Sequence, residues 1–234
     1  MKNALITAAT KGIGKAVAKA FALEGINLAV CSRNESELAE LKAELLMINP
    51  NIQVFIAVVD CSIKTDLLAF AQNAEEALGS INIIVNNVGI YSTTSILDDA
   101  EVDFEKQINT NLRPAYELYR FFGKKMMATR SGHIFNICSV ASVNPIAAAG
   151  TYSITKYALL GLNKVMRQET EPYGVKVTAI IPGSTLTDSW KGVEVDKDKM
   201  VLPEDVAVAI IAAYKMSPGA NVDEITIKPV YGQL

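Results

Sequence analysis

Short apolar runs rich in β-branched residues recur along the chain, and stretches with helical periodicity separate most of them. Alternation of this kind builds a parallel sheet, because parallel strands need a long crossover between them. Apolarity in these runs is largely continuous rather than alternating, so helices are expected on both sheet faces. Right-handed crossovers then predict a single, doubly wound α/β domain over residues 1–234. The predicted strands cover residues 4–6, 28–31, 54–59, 81–85, 134–137, 175–181 and 224–227, and helices are predicted over 101–128 and 151–171.

The composition limits the domain count and the partners. With 234 residues, 50% of them hydrophobic, the chain is long enough to fill the core of one such domain. A formal net charge of −3 gives no overall positive field, so nucleic acid and anionic membranes are not expected partners. No apolar run approaches the ~20 residues that span a bilayer, and the first strand leaves no room for a signal peptide. A cytoplasmic location is therefore expected.

Cysteines and histidines give no sign of a metal site. Cys31, Cys61 and Cys138 show neither CxxC spacing nor histidine neighbours, so neither a metal site nor a disulfide is predicted. The sole histidine, His133, follows Gly132 where a strand begins and is interpreted as a surface or strand-edge residue. A Ser-His-Asp hydrolase would lack an evident base.

Residues 7–14, with the sequence TAATKGIG, follow the first apolar run and precede a helical pattern. Small residues at such a turn let the backbone approach a ligand, and the start of the helix offers free N–H groups to a phosphate. Glycine-bearing turns also occur for local reasons alone. The position of this one, after the first strand of an alternating chain, favours dinucleotide binding.

Tyr152 and Lys156 are four residues apart in a helical stretch, which places a phenol and an ammonium group on one face. At ~5 Å and an effective dielectric of ~20, the charge favours the phenolate by about 3 kcal/mol, or roughly two pKa units. The spacing predicts a phenol that exchanges protons near neutral pH. Such pairs are also common on ordinary amphipathic helices, so the interpretation depends on the other motifs.

Those motifs are the sequence NNVG at residues 86–89 and the pair Pro182-Gly183. With the turn and the Tyr/Lys pair, they make the chain resemble the classical short-chain dehydrogenase/reductase family nearly end to end. The likeness is to members of the 3-oxoacyl-acyl-carrier-protein reductase type and, in part, to bacterial sepiapterin reductases. It implies a Rossmann fold and an enzyme that transfers hydride from a nicotinamide cofactor to the carbonyl carbon of a small molecule.

The resemblance also implies catalytic roles. Tyr152 would donate the proton to the developing alkoxide, and Ser139 would hydrogen-bond the carbonyl oxygen. Lys156 would bind the nicotinamide ribose and lower the pKa of Tyr152. Asn111 would hold a water molecule that links Lys156 to solvent, although an asparagine in a helix also serves as a cap.

The cofactor predicted from these motifs is NADP(H). Ser32 and Arg33 stand at the end of the second strand, where a carboxylate would repel a 2′-phosphate. The family resemblance implies that Lys11 lies near the same phosphate, so two cations and a hydroxyl are predicted to converge with no acid opposing them. The alternative is that both cations are ordinary solvated charges. The predicted cofactor contacts are Thr7, Thr10, Lys11, Gly12, Ile13, Gly14, Ser32, Arg33, Asp60, Cys61, Asn87, Val88, Gly89, Tyr152, Lys156, Pro182, Gly183, Thr185 and Thr187.

Two positions depart from the family pattern. Ala8 stands where the first glycine is usual, at a cost of about 1 kcal/mol if that position needs positive φ. Val88 stands where alanine is usual and would crowd the adenosine side of the cofactor. Neither is expected to abolish binding.

The substrate is predicted to lie under residues 184–202, which follow the Pro-Gly pair. Trp190 and Tyr91 are its predicted contacts, and Tyr231 is a further candidate for the pocket. A pterin such as sepiapterin would stack on Trp190. The alternative role of Trp190 is to close a hydrophobic lid.

Other functions stay open at this point. One is reduction of 3-oxoacyl thioesters, with Arg113, Lys125 and Arg130 as candidate docking cations for an acyl carrier protein. Another, of a different class, is a binding protein that senses NADP(H) without chemistry, which the four occupied catalytic positions oppose. An epimerase or dehydratase of the extended branch is opposed by the short chain.

A homotetramer is expected, with a dimer as the alternative. The helices over 101–128 and 151–171 carry more apolar residues than one sheet face needs, and family members pair these helices between subunits. The residues in question are Phe104, Tyr116, Phe121, Leu159, Leu162 and Met166.

Overall fold

The structure is a computed structural model and describes residues 2–190, 192 and 194–233. The strands are β1 (Asn3–Ile6), β2 (Asn27–Ser32), β3 (Val54–Val58), β4 (Ile83–Asn86), β5 (His133–Ile137), β6 (Lys176–Pro182) and β7 (Glu224–Ile227). They form one parallel sheet in the order β3-β2-β1-β4-β5-β6-β7. Every residue of β1, β2, β4 and β5 is buried, including polar ones such as Asn86 and Asn136, so both faces of these strands are covered.

The helices are α1 (Gly12–Leu23), α2 (Glu35–Ile48), α3 (Lys64–Leu78), α4 (Glu101–Asn111), α5 (Arg113–Thr129), α6 (Gly150–Thr170) and α7 (Pro203–Tyr214). Each sheet face carries its own buried cluster. Phe21 of α1 and Ile210 of α7 belong to one, and Phe70 of α3 and Phe122 of α5 to the other. Full burial of each such side chain contributes about 1.5–3 kcal/mol. The predicted doubly wound fold is confirmed.

The strand order reverses at β1, and this reversal positions a cleft. β1 pairs with β2 on one side and with β4 on the other. Crossovers therefore leave the two neighbouring strands in opposite directions, which opens a crevice at the carboxyl ends of the strands. Ligands of open α/β sheets bind in such crevices.

The helix predicted over 101–128 is interrupted in the structure. α4 ends at Asn111, and Leu112 (φ −118°, ψ −52°) separates it from α5. Pro114, at the second position of α5, causes the break, because proline has no N–H to donate to the carbonyl four residues earlier and restricts the residue before it.

The interpretation of His133 as a surface or strand-edge residue was wrong. His133 is 4% exposed and lies in β5, between two other strands. Its Nε2 is 2.8 Å from Thr178 Oγ1, and its ring stacks on Phe135 at 3.9 Å between centroids. Burial lowers its pKa to about 3, so the ring is neutral at physiological pH.

The apolar helix faces are only partly free. Leu159 and Met166 are 2% and 0% exposed, so their assignment to a subunit contact was wrong; α6 turns them towards the sheet. Phe121 and Leu162 pack against the same core. About half of Phe104 and Tyr116 remains exposed. The homo-oligomer stays a prediction. Within the part of the chain that the structure describes, no helix has the length and apolarity needed to span a bilayer.

Candidate active site

Two glycines shape the turn over residues 7–14. Gly12 has φ +50°, which glycine adopts without strain. A Cβ at Gly14 would lie 2.5 Å from the Ala8 carbonyl oxygen and 2.6 Å from Asn87 Nδ2, closer than real Cβ contacts. No acid lies in the first turn of α1, so this helix start keeps the partial positive charge that attracts a phosphate.

Ala8 has φ +52°. The position that usually carries glycine is thus left-handed here, and its alanine costs about 1 kcal/mol. Asn87 holds the strained segment, because its Nδ2 donates to the carbonyls of Thr7 and Ala8 at 3.0 and 2.9 Å. Thr7 Oγ1 in turn accepts from the backbone N–H groups of Asn87 and Val88, both at 3.0 Å. Hydrogen bonds made by the side chains of Thr7 and Asn87 therefore hold the turn against the end of β4.

Ser139 follows β5 and begins a short 3-10 helix. Its Oγ accepts from Ala141 N at 3.1 Å, and its own N–H donates to Ser142 Oγ at 3.1 Å. This reciprocal capping holds the backbone of Ser139 at the carboxyl end of the sheet, and the residue lines the cleft.

α6 presents Tyr152 and Lys156 on the same face. Lys156 is 4% exposed, and its Nζ donates to the Ile137 carbonyl at 2.9 Å, which ties α6 to the end of β5. The same Nζ lies 5.7 Å from the centre of the Tyr152 ring. Both residues line the cleft together with Ser139.

The predicted lowering of the Tyr152 pKa by Lys156 was wrong for this structure. Burial raises the pKa of Tyr152, and a hydrogen bond with Ser139 offsets this only in part. Burial likewise lowers the pKa of Lys156. The physical reason is that desolvation disfavours both charged forms, while the ammonium group binds the Ile137 carbonyl instead of the phenol.

Asn111 ends α4 and is buried beside the loop after β4. Its Oδ1 accepts from Ile90 N at 2.7 Å, and its Nδ2 donates to Ile90 O and Thr155 Oγ1, both at 3.0 Å. Asn111 Oδ1 and Lys156 Nζ both lie 3.5 Å from where a Cβ of Gly89 would stand. The side chain thus anchors this loop to α6 close to Lys156.

One cleft of about 1150 Å³ joins these features. Of the predicted site residues it is lined by Lys11, Gly12, Ile13, Asn87, Gly89, Tyr91, Ser139, Tyr152, Lys156, Pro182, Gly183, Thr185, Thr187 and Trp190. The turn that suits a phosphate and the Ser/Tyr/Lys group therefore face the same space. Thr7, Val88 and Asn111 support it from behind.

The other predicted cofactor contacts lie beyond the turn, at the ends of β2 and β3. Ser32 Oγ bonds the backbone of Asn34, and Arg33 is exposed. Asp60 Oδ1 accepts from the N–H and hydroxyl of Ser62, which holds its pKa low, and the charge of Arg33 lowers that pKa further.

Cys61, next to Asp60, is buried, and its Sγ is 3.7 Å from Cys31 Sγ. That thiol contact and burial raise the pKa of Cys61. Among the described residues, no cluster of three or more His, Cys, Asp or Glu side chains suits a metal ion.

The prediction that no acid opposes the cation of the turn was wrong. Lys11 Nζ is 2.7 Å from Glu37 Oε1 and 3.6 Å from Asp188 Oδ2. Thr10 Oγ1 donates to the other Glu37 oxygen at 2.9 Å. Glu37 lies 26 residues further along the chain, in the first turn of α2, so only the fold brings it to Lys11.

Comparison with known proteins decides the family. The family model described as short chain dehydrogenase matches residues 2–198. The chain belongs to the short-chain dehydrogenase family. It is 30% identical to a sepiapterin reductase of Chlorobaculum tepidum, over 98% of this chain and 97% of that one. The family is one of oxidoreductases, so the protein is an enzyme of that class.

Solved structures of the family are similar over the whole chain. One is an alcohol dehydrogenase from the archaeon Thermococcus sibiricus, complexed with 5-hydroxy-NADP, with a TM-score of 0.92 and 27% identity over 100% of this chain and 99% of that one. Another is a metagenomic short-chain oxidoreductase in complex with NADP, with a TM-score of 0.85 and 26% identity over 98% and 97%.

The cleft of this dehydrogenase fits a dinucleotide. Gly89 leaves open the space between Asn111 and Lys156, and Gly12 lets the backbone approach within contact distance of Thr187. The start of α1 supplies N–H groups and positive charge for a diphosphate. A nicotinamide cofactor would thus have its phosphates at the turn and its reactive ring near Tyr152.

The two ends of the predicted covering segment, residues 184–202, are joined. Thr185 and Val201 make a parallel bridge, with Leu186 N donating to Val201 O at 2.8 Å and Val201 N to Ser184 O at 3.0 Å. Trp190 lies between these ends, partly buried, on the cleft. Residues 191 and 193 of this predicted covering segment fall outside the described residues.

The C-terminal residues also border the cleft, which the sequence reasoning missed. Gln233 Oε1 accepts from Ser184 N at 2.8 Å, and the Gln233 amide fills the space where a Cβ of Gly183 would stand. Lys228 lines the same space. Tyr231, the predicted pocket residue in this stretch, is 77% exposed and lies against Lys199 instead. Nothing in the local sequence pattern distinguishes Gln233 from its neighbours.

Proposed function

We propose that this short-chain dehydrogenase uses NADPH to reduce the carbonyl group of a small ketone or diketone to an alcohol, with Tyr152 as the proton donor. The observation that carries the proposal is the meeting of Ser139, Tyr152 and Lys156 with the glycine turn in one cleft. The hydride must reach the carbon of a carbonyl group while the proton reaches its oxygen. Both donors must therefore face the same cleft.

The choice of NADP(H) has two supports. Two similar structures of the family are complexes with NADP or a derivative of it. Arg33 and Lys11 place cations at the two positions where the family binds a 2′-phosphate, and Ser32 stands where NAD-dependent enzymes carry an acid. The cofactor supplies the hydride; the protein supplies orientation and protons.

Tyr152 suits the role of acid in this direction of reaction. Burial raises the pKa of the phenol, so it keeps its proton at neutral pH. The Ser139 hydroxyl, held by its capping bonds, donates to the same carbonyl oxygen. Both donors stabilise negative charge that develops only in the transition state, which is where binding accelerates a reaction.

Lys156 positions and replenishes this acid. Its buried ammonium group places a positive charge beside the phenol that becomes negative when the proton leaves. Its bond to Ile137 O fixes the group at the end of β5, where it would also bind the ribose of the cofactor. Asn111, which anchors the loop at Ile90, would hold the water molecule that links Lys156 to solvent.

The substrate lies between the Ser/Tyr pair and residues 184–202. Tyr91 and Trp190 give this space two aromatic walls, which favour a flat or apolar carbonyl compound. The identity with a sepiapterin reductase makes a pterin such as sepiapterin one candidate. A cytoplasmic location and a homotetramer stay predictions.

Reduction of a carrier-bound 3-oxoacyl thioester has less support. Two of the three candidate docking cations are engaged within the chain: Lys125 pairs with Glu75, and Arg130 donates to the Pro172 carbonyl. The third, Arg113, is exposed.

The test is NADPH and NADH oxidation, followed by absorbance, with sepiapterin, diacetyl, acetoacetyl thioesters and aromatic ketones. Tyr152→Phe removes the proton donor, and Tyr173→Phe removes an exposed phenol that is not part of the cleft lining. We expect NADPH-dependent reduction of at least one compound that Tyr152→Phe abolishes and Tyr173→Phe preserves.

Tight NADPH binding without reduction of any compound would instead favour a binding protein that senses NADP(H). Preference for acetoacetyl thioesters over all other compounds would move the assignment to the acyl-thioester reductases. Equal activity of wild type and Tyr152→Phe would contradict the proposed mechanism.

A further inference from the structure

The carboxylate of Glu37 pairs with Lys11, the cation of the glycine turn. One oxygen is 2.7 Å from Lys11 Nζ, and the other accepts from Thr10 Oγ1 at 2.9 Å. A carboxylate bound by an ammonium group and a hydroxyl at the start of a helix is bound as a phosphate would be. The fold thus places an anion of its own among the groups that suit a ligand's phosphate.

The start of α2 holds Glu37 in this place. Asn34 caps the helix, with its Oδ1 accepting from Glu37 N at 3.1 Å and its Nδ2 donating to Glu37 Oε1 at 3.3 Å. The bond with Lys11 lowers the pKa of Glu37, and the same bond raises the pKa of Lys11. Both groups are therefore charged at neutral pH.

We propose that Glu37 is a specificity-determining residue that competes with the 2′-phosphate of the cofactor for Lys11 and so narrows the preference for NADP(H) over NAD(H). This rests on the cofactor part of the proposed function, in which Lys11 and Arg33 bind that phosphate, and not on the reaction itself. Glu37 and the phosphate then share the ammonium group of Lys11, which also lies 3.6 Å from Asp188 Oδ2, and the two anions repel each other when both are near it. NAD(H) carries no 2′-phosphate and leaves the Lys11–Glu37 pair intact.

The substitution Glu37→Gln removes the negative charge and keeps the shape of the side chain. The amide keeps an acceptor for Thr10 and the size of the side chain but no longer attracts Lys11 or repels a phosphate. Glu40→Gln is the matched control, because Glu40 is an exposed acid on the same helix, and its substitution changes the net charge equally. Comparison of Lys11→Met with the double variant Lys11→Met/Glu37→Gln shows whether Glu37 changes cofactor affinity through Lys11.

The experiment is calorimetric titration of each variant with NADPH, NADH, 2′,5′-ADP and 5′-AMP. We expect Glu37→Gln to lower the dissociation constants of NADPH and 2′,5′-ADP about fivefold, the size typical of one partly exposed ion pair, and to leave NADH and 5′-AMP within about twofold. Glu40→Gln should change none of them beyond twofold, and the gain should vanish in the Lys11→Met background.

An unchanged or weaker affinity of Glu37→Gln for NADPH would overturn the inference, as would an equal gain for NADH. Binding of NADPH by wild type without reduction of any carbonyl compound would contradict the proposed function and leave this inference standing. No binding of NADPH by any variant would overturn both. Melting temperatures of all variants check that the fold is intact.

Discussion

The ring of Tyr91 stands edge-on to the ring of Tyr152, with centroids 4.9 Å apart and planes at 89°. Tyr91 belongs to the loop after β4, is 46% exposed and also lines the cleft. An edge-to-face pair restrains the orientation of both rings. Under the proposed function, Tyr91 would therefore contact the substrate and also restrain the orientation of the proton donor Tyr152.

Tyr91→Ala is expected to lower kcat/KM about fivefold, because such a pair is worth about 1 kcal/mol beyond area burial. Tyr91→Phe keeps the ring and should stay within about twofold of wild type. Steady-state kinetics with the best substrate of the panel check this. Equal losses in both variants would mean that the hydroxyl group, not the ring contact, matters.

The sequence predicted those parts of the site whose residues are close together along the chain. The glycine turn, Ser139 and the Tyr152/Lys156 spacing follow from a strand end, a turn and a helix period, and the structure brings these residues to one cleft. Their individual roles stay predictions.

Contacts across the chain were not predictable in this way. Glu37 reaches Lys11 from the next helix, and Gln233 reaches Ser184 from a position 49 residues away. His133 was misplaced because a single histidine in an apolar run gives no signal of burial. Its partner, Thr178, is supplied by the neighbouring strand and is known only once the strands are paired.

Ala8→Gly is expected to stabilise the protein. Ala8 has φ +52°, and glycine relieves a strain of about 1 kcal/mol, for a rise in melting temperature of about 2–4 °C. Ala9→Gly is the control, since Ala9 is fully buried and lacks positive φ, and it should destabilise. Thermal unfolding of both variants tests this prediction. A lower melting temperature for Ala8→Gly would show that the methyl group of Ala8 packs favourably.

Gly14→Ala is expected to abolish dinucleotide binding. Its Cβ would stand 2.5 Å from the Ala8 carbonyl oxygen, so the turn must move. The control is Gly161→Ala in α6, where a Cβ meets nothing within 4 Å and the helix should gain about 1 kcal/mol. NADPH titration and thermal unfolding of both separate the effects. Wild-type affinity in folded Gly14→Ala would exclude the turn from the cofactor site.

Stability is expected to fall between pH 7 and pH 5 because of His133. Its pKa is about 3 in the folded protein, against about 6.5 when unfolded, so unfolding takes up a proton below pH 6.5. The stabilisation is complete above the unfolded pKa and is lost as the pH falls towards 3. Between pH 7 and 5 the loss is about 2 kcal/mol. His133→Gln should have a flatter pH profile in denaturant unfolding; an identical slope would place the titration elsewhere.

Lys156→Met is expected to raise the stability of the fold and to lower the activity. The ammonium group is 4% exposed, and burial lowers its pKa, so the folded protein bears a desolvation cost that methionine removes. The melting temperature should rise by about 2–4 °C, while kcat falls about a hundredfold or more, because the charge beside Tyr152 is gone. Lys164→Met, on the exposed side of the same helix, loses only its contact with Glu224 and should change neither quantity much. A Lys156→Met protein that loses both stability and activity would show that the bond to Ile137 outweighs the cost of burial, and Lys156 would then hold the end of β5 in place as well as serving the reaction.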